Sequence, residues 1–368
     1  MRRLILFASA SLVMSFCKAQ EKPLDMKMEF EDYDPPSSLV VEEHKLTHAK
    51  FPFIDIHNHQ DGLDGDLSGL VKEMDKLNMK VMNNLSGKGY RSNGNYLERS
   101  LENIKKSYPD RFIVFTNIDF DKIDDADWTS RTVLQITEDV KNGAKGLKIF
   151  KNLGMFSRDK NGKRIHIDDP RIDPVWEKCG ELGIPVLIHV ADPKPFWQPI
   201  DQNNERWLEL KLHPRRRHDT DSVKWETVIA EQHRMFKKHP KTKFINAHLG
   251  WYGNDLKKLG QLMDQMPNMY TEIGAVIAEL GRQPRAAKAF LTKYQDRVLF
   301  GKDSWVPKEY QTYFRVLETE DEYFPYHKRY HAFWKMYGMG LPDEILKKIY
   351  YKNALAILPG MDGGLFPK

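Results

Sequence analysis

Residues 53–59 read Phe-Ile-Asp-Ile-His-Asn-His, a short apolar segment that runs directly into two histidines. Short runs of apolar and β-branched residues are typical of buried β-strands, and we expect a strand at 53–56. Further runs of this kind follow along the chain, each separated from the next by a longer stretch of sequence. The other predicted strands are 80–85, 112–118, 146–150, 186–190, 243–247, 269–273 and 297–300.

The stretches between the predicted strands have the apolar periodicity of helices. Several of them end in Gly or Pro shortly after the last apolar position, as at Gly143, Gly183 and Pro240. The predicted helices are 67–77, 96–108, 129–142, 173–182, 223–239, 254–266, 285–294 and 343–358.

Eight strands that alternate with helices predict an α/β protein built as a single (β/α)8 TIM barrel. A doubly wound open sheet is the alternative. No Gly-x-Gly-x-x-Gly segment and no phosphate-binding loop follows any predicted strand, which removes the usual nucleotide-binding reasons for that fold. The long connection 191–242 holds one predicted helix and an irregular stretch, and we expect a lid or specificity loop there.

The beginning of the chain has the features of a secretory signal. Arg2 and Arg3 precede an apolar segment at 4–16, and a small-residue cleavage site ends at Ala19. These features predict export to the periplasm or the extracellular space. No later segment has 18 uncharged apolar residues, so we expect no transmembrane segment.

The sequence divides into three predicted parts. We expect residues 1–19 to be the signal peptide, residues 20–50 a linker or surface arm, and residues 51–368 the barrel. Lipid anchoring through Cys17 is the alternative to soluble export. We favour it less because Phe16 is bulky where a small residue is expected.

Composition narrows the class of protein. The chain has 57 basic and 52 acidic residues, which gives a formal net charge of +5 across 368 residues. An excess this small gives no support for nucleic-acid binding. A hydrophobic content of 40% is that of a folded globular protein. The two cysteines, Cys17 and Cys179, exclude a disulfide framework.

Polar residues at the ends of the predicted strands are the candidates for chemistry, because barrel enzymes place catalytic groups at the C-terminal ends of their strands. His57 and His59 end the first strand, and side chains two residues apart in a strand point to the same side. Both can therefore reach one metal ion. His189 ends the fifth strand, His248 follows the sixth, and Asp303 follows the eighth.

Five segments together resemble the amidohydrolase superfamily, in the amidohydrolase-2 branch that contains aminocarboxymuconate semialdehyde decarboxylase and related hydrolases and lactonases. The resemblance extends over residues 51–358 and implies a metal-dependent barrel enzyme. The segments are Phe-Ile-Asp-Ile-His-Asn-His at 53–59, Ile-Pro-Val-Leu-Ile-His at 184–189, Lys-Thr-Lys-Phe-Ile-Asn-Ala-His-Leu-Gly at 241–250, Val-Leu-Phe-Gly-Lys-Asp-Ser at 298–304 and Ile-Tyr-Tyr-Lys-Asn-Ala at 349–354.

The resemblance also implies roles for the strand-end residues. His57, His59 and His189 bind the metal, and Asp303 is a further ligand. Three imidazoles and a carboxylate suit one Zn²⁺ with a position left for water, whose pKa the ion lowers. Asp303 then accepts the proton of that water, and His248 polarises a substrate carbonyl or transfers a proton. Asp303 and His248 are therefore the expected catalytic residues.

Lys148, at the end of the fourth strand, has three possible roles. In two-metal members of the superfamily, a carboxylated lysine from this strand bridges two ions, and His248 binds the second ion. In the one-metal case, which we expect here, Lys148 is a cation for a substrate carboxylate or phenolate. Alternatively, it forms an ion pair with Glu272, which ends the seventh strand and is a candidate substrate-binding residue.

Two tryptophans follow the candidate catalytic residues. Trp251 follows His248 and Trp305 follows Asp303. Their rings would suit a sugar or an aromatic substrate, and ordinary packing of the barrel rim is the alternative.

The expected function is that of a secreted metal-dependent hydrolase. Its reaction is attack by metal-activated water on an ester, lactone or amide bond of a small anionic, sugar or aromatic substrate. A metal-dependent non-oxidative decarboxylase is the alternative, and a non-catalytic barrel that binds a ligand is a third hypothesis. The resemblance also implies a homodimer, because barrels of this branch are often dimeric.

Overall fold

The computed structural model describes residues 24–88 and 95–367. The predicted signal peptide lies outside the described residues, so it stays a prediction, as do the predicted boundaries at residues 19 and 50. By its internal contacts the chain divides into Met1–Leu39 and Val40–Lys368. In the first unit a single 3-10 turn spans Phe30–Asp32 of the described residues. No helix among the described residues is long and apolar enough to cross a membrane.

The second unit contains a sheet of eight parallel strands that lie in sequence order, each paired with the next. Each strand lies within two residues of its predicted bounds. The prediction of a (β/α)8 barrel is therefore confirmed. The strands are β1 (Phe53–Asn58), β2 (Met79–Asn84), β3 (Phe112–Asn117), β4 (Gly146–Ile149), β5 (Val186–Ile188), β6 (Phe244–Asn246), β7 (Met269–Glu272) and β8 (Val298–Leu299).

The helices lie between these strands. A helix is present at each of the eight predicted stretches. The helices are α1 (Ser68–Lys76), α2 (Tyr96–Ser107), α3 (Trp128–Lys141), α4 (Asn152–Met155), α5 (Asp173–Glu181), α6 (Trp207–Leu212), α7 (Trp225–Lys238), α8 (Leu256–Gln265), α9 (Ile277–Gly281), α10 (Pro284–Lys293), α11 (Pro307–Glu318), α12 (Asp343–Lys347) and α13 (Asn353–Ile357), with a π-helical turn at Lys348–Lys352 between the last two.

The short helices α4, α6 and α9 were not predicted, and neither were two features that follow β8. Helix α11 follows β8, and a short antiparallel pair follows α11, with β9 (Phe324–Pro325) beside β10 (Lys335–Met336). The pair is only two residues long on each side, which is too short for a periodicity to show. The chain between β9 and β10 contributes to the candidate site described below.

The sheet closes where β8 meets β1. The N–H of Ile56 donates to the carbonyl of Phe300 at 3.0 Å, and the N–H of Asp303 donates to the carbonyl of His57 at 2.7 Å. These bonds join β1 to the chain directly after β8. They bring the two ends of the predicted ligand set, which are far apart in sequence, to one side of the barrel.

Phe53 lies at the centre of an aromatic cluster beneath this closure. It is fully buried, and its ring lies 4.8 Å from Phe300 and 5.6 Å from Phe314 of α11. Burial on both faces of the sheet explains why the strands read as continuous apolar runs. The unpredicted helix α11 therefore completes the core at the junction of β1 and β8.

Backbone strain is concentrated at the C-terminal ends of β5 to β8. Ala191, His248, Leu249, Ala275 and Asp303 have φ angles between +54° and +81°. Residues with a β-carbon rarely adopt this left-handed region, and such strain is often found at functional sites. The surrounding contacts of the barrel hold these positions in place.

We expect Phe53→Ala to lower the free energy of unfolding by about 3–5 kcal/mol, because it leaves a cavity in the closed core. Urea denaturation measures this change. Phe156, which is 54% exposed, provides the matched control, and Phe156→Ala should change the value by no more than about 0.5 kcal/mol. Equal losses in the two variants would contradict the central place of Phe53.

Candidate metal centre

The C-terminal ends of β1 and β8 bring His57, His59 and Asp303 together. One ligand atom of each residue lies within 4.8 Å of the other two. Oδ1 of Asp303 is 3.2 Å from Nε2 of His57 and 3.7 Å from Nε2 of His59. Two imidazoles and a carboxylate that converge in this way form a set of ligands suited to a divalent cation.

Glu272, at the end of β7, holds the ring of His57 from behind. Its Oε1 lies 3.0 Å from Nδ1 of His57 and accepts the N–H of His248 at 2.6 Å. Its Oε2 accepts the N–H of Gly274 at 2.5 Å. Burial raises the pKa of Glu272, but the charge of His57 and these hydrogen bonds lower it to about 2. An ionised Glu272 keeps a proton of His57 on Nδ1, so Nε2 is the ring nitrogen that can bind a metal ion in exchange for its proton.

The position of Nε2 of His57 is the best evidence that a cation fits here. Nε2 of His57 is buried and makes no hydrogen bond of acceptable geometry with any described residue. It faces Oδ1 of Asp303 across 3.2 Å. Burial raises the pKa of Asp303, but the surrounding histidines hold it well below its usual range, so this oxygen is an acceptor. Burial lowers the pKa of His57, but Glu272 and Asp303 raise it above its ordinary value, so a proton on Nε2 balances the charge of Asp303 when no metal ion is bound. A divalent cation that binds both atoms displaces this proton.

His248 presents a second unpartnered nitrogen. Its Nδ1 lies 2.8 Å from the carbonyl of Gly274, and because a carbonyl only accepts, Nδ1 carries the proton. Nε2 is buried and has no hydrogen-bond partner among the described residues. The ring lies 4.8 Å from that of His57. His248 therefore lies beside the metal ligands, with a free lone pair on Nε2.

His189 lies beside the cluster but in none of the candidate metal-binding groups found among the described residues. Its ring packs edge-on against His248, with ring centres 4.4 Å apart. Its Nε2 lies 3.0 Å from the carbonyl of Ala191, so Nε2 carries the proton and Nδ1 is free. Its role as a third histidine ligand stays a prediction.

Lys148 is buried, and its Nζ has no hydrogen-bond partner among the described residues. Burial lowers the pKa of Lys148 to about 8, against the raising effect of Asp303 and Glu272. The ion pair with Glu272, offered as one alternative by the sequence, is not among the contacts of the described residues. Glu272 also differs from its expected substrate-binding role, because its carboxylate is fully buried and occupied by His57 and backbone N–H groups.

The two tryptophans have different surroundings. Trp251 lies against His248, with ring centres 4.6 Å apart, and lines the cavity above the cluster. Trp305 packs edge-on against Tyr310 at 5.6 Å and is not among the lining residues of that cavity as the structure describes it. Trp251 is therefore placed to contact a substrate, whereas the contact seen for Trp305 is a packing contact.

Asp55 was not singled out by the sequence, yet it organises the end of β1. Its Oδ2 accepts the hydroxyl of Tyr310 at 2.6 Å and the side-chain amide of Asn58 at 2.9 Å. Its Oδ1 accepts the N–H groups of His57 and Lys302. Burial raises the pKa of Asp55 to about 6, although these hydrogen bonds oppose the rise. The sequence did contain a signal for this role, because Asp55 is an acidic residue within an apolar strand. A buried carboxylate requires hydrogen-bond partners.

A cavity of about 230 Å³ lies above the cluster. His189, His248 and Asp303 form part of its lining, and the chain segments 192–216 and 328–331 supply most of the rest. The segment 192–216 belongs to the long connection that was expected to form a lid or specificity loop. Its lining residues confirm that this connection borders the site.

A buried ion cluster holds these two segments over the cavity. Arg206 donates to Glu209 at 2.9 Å and also pairs with Glu279 of α9. Arg216 donates to the other oxygen of Glu209 at 2.6 Å, and His331 lies 3.2 Å from Glu209. Burial raises the pKa of Glu209, but its hydrogen bond to His331 and the charge of Arg206 lower it to about 2.

The first prediction for the site concerns Gly301. A β-carbon at this position would collide with Oε2 of Glu272 and lie 3.0 Å from Cβ of His57. We expect Gly301→Ala to displace Glu272 and to weaken divalent-metal binding by about tenfold or more. Metal content after dialysis measures the effect. Gly69→Ala, whose β-carbon would meet open space, is the control, and equal metal content in both variants would contradict the role of Gly301.

The second prediction concerns acid stability. The pKa of Glu209 lies at about 2 in the folded protein, against 4.5 normally. Its stabilising contribution is therefore complete above about pH 4.5 and is lost as the pH falls towards 2. We expect Glu209→Gln to lower the free energy of unfolding by on the order of 3 kcal/mol at pH 6 and by much less near pH 2. The exposed neighbour variant Glu205→Gln should show no such dependence in urea denaturation across this pH range.

Comparisons with known proteins agree with this architecture. The sequence profile of the family described as Amidohydrolase matches residues 88–360. A search of curated proteins gave no match.

Three solved structures illustrate the likeness in fold. A 2,6-dihydroxybenzoate decarboxylase with bound 2,6-dihydroxybenzoate has a TM-score of 0.51 and 14% identity, and the match covers 83% of this chain and 99% of that chain. A dihydroxybenzoic acid decarboxylase from a Polaromonas species, with bound manganese and 2-nitroresorcinol, has a TM-score of 0.51 and 14% identity over 83% and 96% of the chains. The 4-oxalomesaconate hydratase from Rhodopseudomonas palustris has a TM-score of 0.50 and 16% identity over 85% and 97%.

At these identities the solved structures show the fold, whereas the profile match shows the family. The matched range 88–360 is most of the chain and contains β3 to β8 with His189, His248 and Asp303. The chain therefore belongs to the amidohydrolase family of enzymes.

Proposed function

We propose that the protein is a secreted metal-dependent hydrolase that cleaves an ester, lactone or amide bond of a small substrate. The observation that carries the proposal is the convergence of His57, His59 and Asp303 beneath a cavity, with Nε2 of His57 3.2 Å from Oδ1 of Asp303. The export part of the proposal rests on Arg2, Arg3 and the apolar segment that follows them.

The residues present fit a divalent cation. His57, His59 and Asp303 would hold it, and His189 would add a further imidazole. This mixture of nitrogen and oxygen ligands suits Zn²⁺, although Mn²⁺ is compatible with the carboxylate. When bound, the ion would supply Lewis acidity, which polarises a carbonyl and makes a water molecule easier to deprotonate.

Asp303 is the proposed general base. It is partly exposed, whereas the ring of His57 behind it is fully buried. Because its pKa is held well below the usual range, the carboxylate is ionised at neutral pH and can accept a proton from water at its free oxygen. Its backbone is fixed by the 2.7 Å hydrogen bond to the carbonyl of His57, so the base keeps its place beside the ligands.

His248 is the proposed proton carrier for the leaving group. Since Nδ1 donates to the carbonyl of Gly274, neutral His248 presents a lone pair at Nε2. It can therefore take up a proton there and pass it to the departing oxygen or nitrogen. Polarisation of a substrate carbonyl, the other role expected for His248, would require Nε2 to carry a proton before the reaction begins. Trp251 packs on the ring and limits its movement.

Non-oxidative decarboxylation is the second candidate. A protonated Nε2 of His248 beside the cavity is also suited to deliver a proton to carbon, and two of the fold relatives are named decarboxylases. Lys148 can serve either reaction as a buried cation. Its role as a carboxylated bridge to a second ion would require two metal ions for each chain.

Metal analysis and isotope labelling test the proposal. We expect about one equivalent of divalent metal in the purified full-length protein, and loss of ester or lactone hydrolysis after chelation, restored by Zn²⁺. Asp303→Asn should lower kcat by about 10²–10⁴-fold, and His57→Ala should abolish stoichiometric metal. His48→Ala, an exposed histidine outside the site, is the control.

Product analysis separates the two reactions. In ¹⁸O-labelled water, hydrolysis places one labelled oxygen in the acid product, whereas decarboxylation releases carbon dioxide without this incorporation into the remaining product. Full activity in the chelated, metal-free protein would reject both metal-dependent candidates.

A further inference from the structure

The outer wall of the cavity carries a cation that the described residues leave unpaired. Lys328 lines the cavity and is partly buried. Its side chain has no ion pair and no hydrogen bond with any described residue. Lys151, another cation of the lining, is by contrast paired with both oxygens of Asp192, at 2.8 and 2.6 Å.

The arginines of the same wall are already neutralised. Arg206 and Arg216 share Glu209, and Arg206 has Glu279 in addition. His331 does not add a charge near neutral pH, because burial lowers its pKa to about 4. Among the described residues of this wall, one positive charge, that of Lys328, is therefore left over. Water screens it less in a small cavity than on an open surface.

The neighbours of Lys328 are donors as well. Tyr330, two residues further on, lines the cavity and contacts Arg216 through its hydroxyl. Arg216 uses Nη1 for Glu209 and is about one-third exposed. An ammonium, a phenol and part of a guanidinium therefore face one space. A group that only accepts hydrogen bonds and carries negative charge is the complementary ligand.

We propose that Lys328, supported by Tyr330 and Arg216, binds an oxyanion of the substrate at the outer part of the cavity. The substrate is then a small acid that carries a carboxylate, phosphonate or phosphate in addition to the bond that reacts at the metal centre. This inference rests on the proposed function, because it adds a substrate class to the same site.

Calorimetric titration of the zinc-loaded full-length protein tests the inference. The probes are terephthalate, 4-phosphonobenzoate and 4-carbamoylbenzoate, which share one benzoate and differ in the second group. We expect both dianions to bind at least about tenfold more tightly than the carbamoyl compound, since a hydrogen-bonded charge favours the anion. The tighter of the two dianions identifies the preferred oxyanion.

Variants at Lys328 isolate its contribution. Lys328→Gln should remove the preference for the dianions while the affinity for 4-carbamoylbenzoate stays within about twofold, and Lys328→Glu should reverse the preference. Lys308→Gln, an exposed lysine of α11 that does not line the cavity, is the matched control. Thermal melting of each variant checks that it is folded.

Three results would overturn the inference. These are equal binding of the amide and the dianions, an unchanged preference in Lys328→Gln, and no binding of any probe by the wild-type protein. The test is separable from that of the proposed function. Charge-dependent binding in a protein without hydrolase activity rejects the proposed reaction alone, whereas an active hydrolase without the Lys328-dependent preference rejects the subsite alone.

Discussion

The hydrogen bond between Glu272 and His57 is the interaction on which the rest of the site depends. The carboxylate is fixed by backbone N–H groups of His248 and Gly274, so it cannot turn away from the imidazole. Because it keeps one proton on Nδ1, Nε2 of His57 is directed at Asp303. The two atoms face each other 3.2 Å apart, an arrangement suited to holding a cation.

The closure of the barrel makes this arrangement possible. Asp55 accepts N–H groups from both β1 and the chain after β8, and so joins the two strand ends that carry the candidate ligands. Gly301 leaves room for Glu272 to approach. The left-handed φ angles of His248 and Asp303 turn their side chains at the ends of short strands. Packing beneath the site offsets this strain, since Phe53 and α11 complete a buried apolar core there.

Around the opening of the cavity above the metal centre, the side chains are held by ion pairs rather than by apolar packing. There charge is buried in matched sets, with Arg206, Arg216, Glu209 and Glu279 joining the connection after β5 to α9. Lys328 differs from these residues because its side chain has no acidic partner among the described residues. It is therefore the residue of this region proposed to bind an anionic substrate. The metal centre and the opening of the cavity therefore have complementary roles. The metal centre offers ligand atoms to a cation, whereas Lys328, Tyr330 and Arg216 offer hydrogen-bond donors to an anion.

The sequence by itself determined the eight strands, their order and the positions of the polar residues at their ends, because apolar periodicity and strand-end position are local properties of the chain. It also indicated His57, His59, His189 and Asp303 as one ligand set, and the structure brings ligand atoms of His57, His59 and Asp303 within 4.8 Å of one another. Tertiary structure decided which atoms face each other. Glu272 meets His57 across 215 residues, and Asp55 joins β1 to the chain after β8. Nζ of Lys148 has no hydrogen-bond partner among the residues that the structure describes. Such contacts depend on strand register, closure and left-handed backbone, none of which has a local signature.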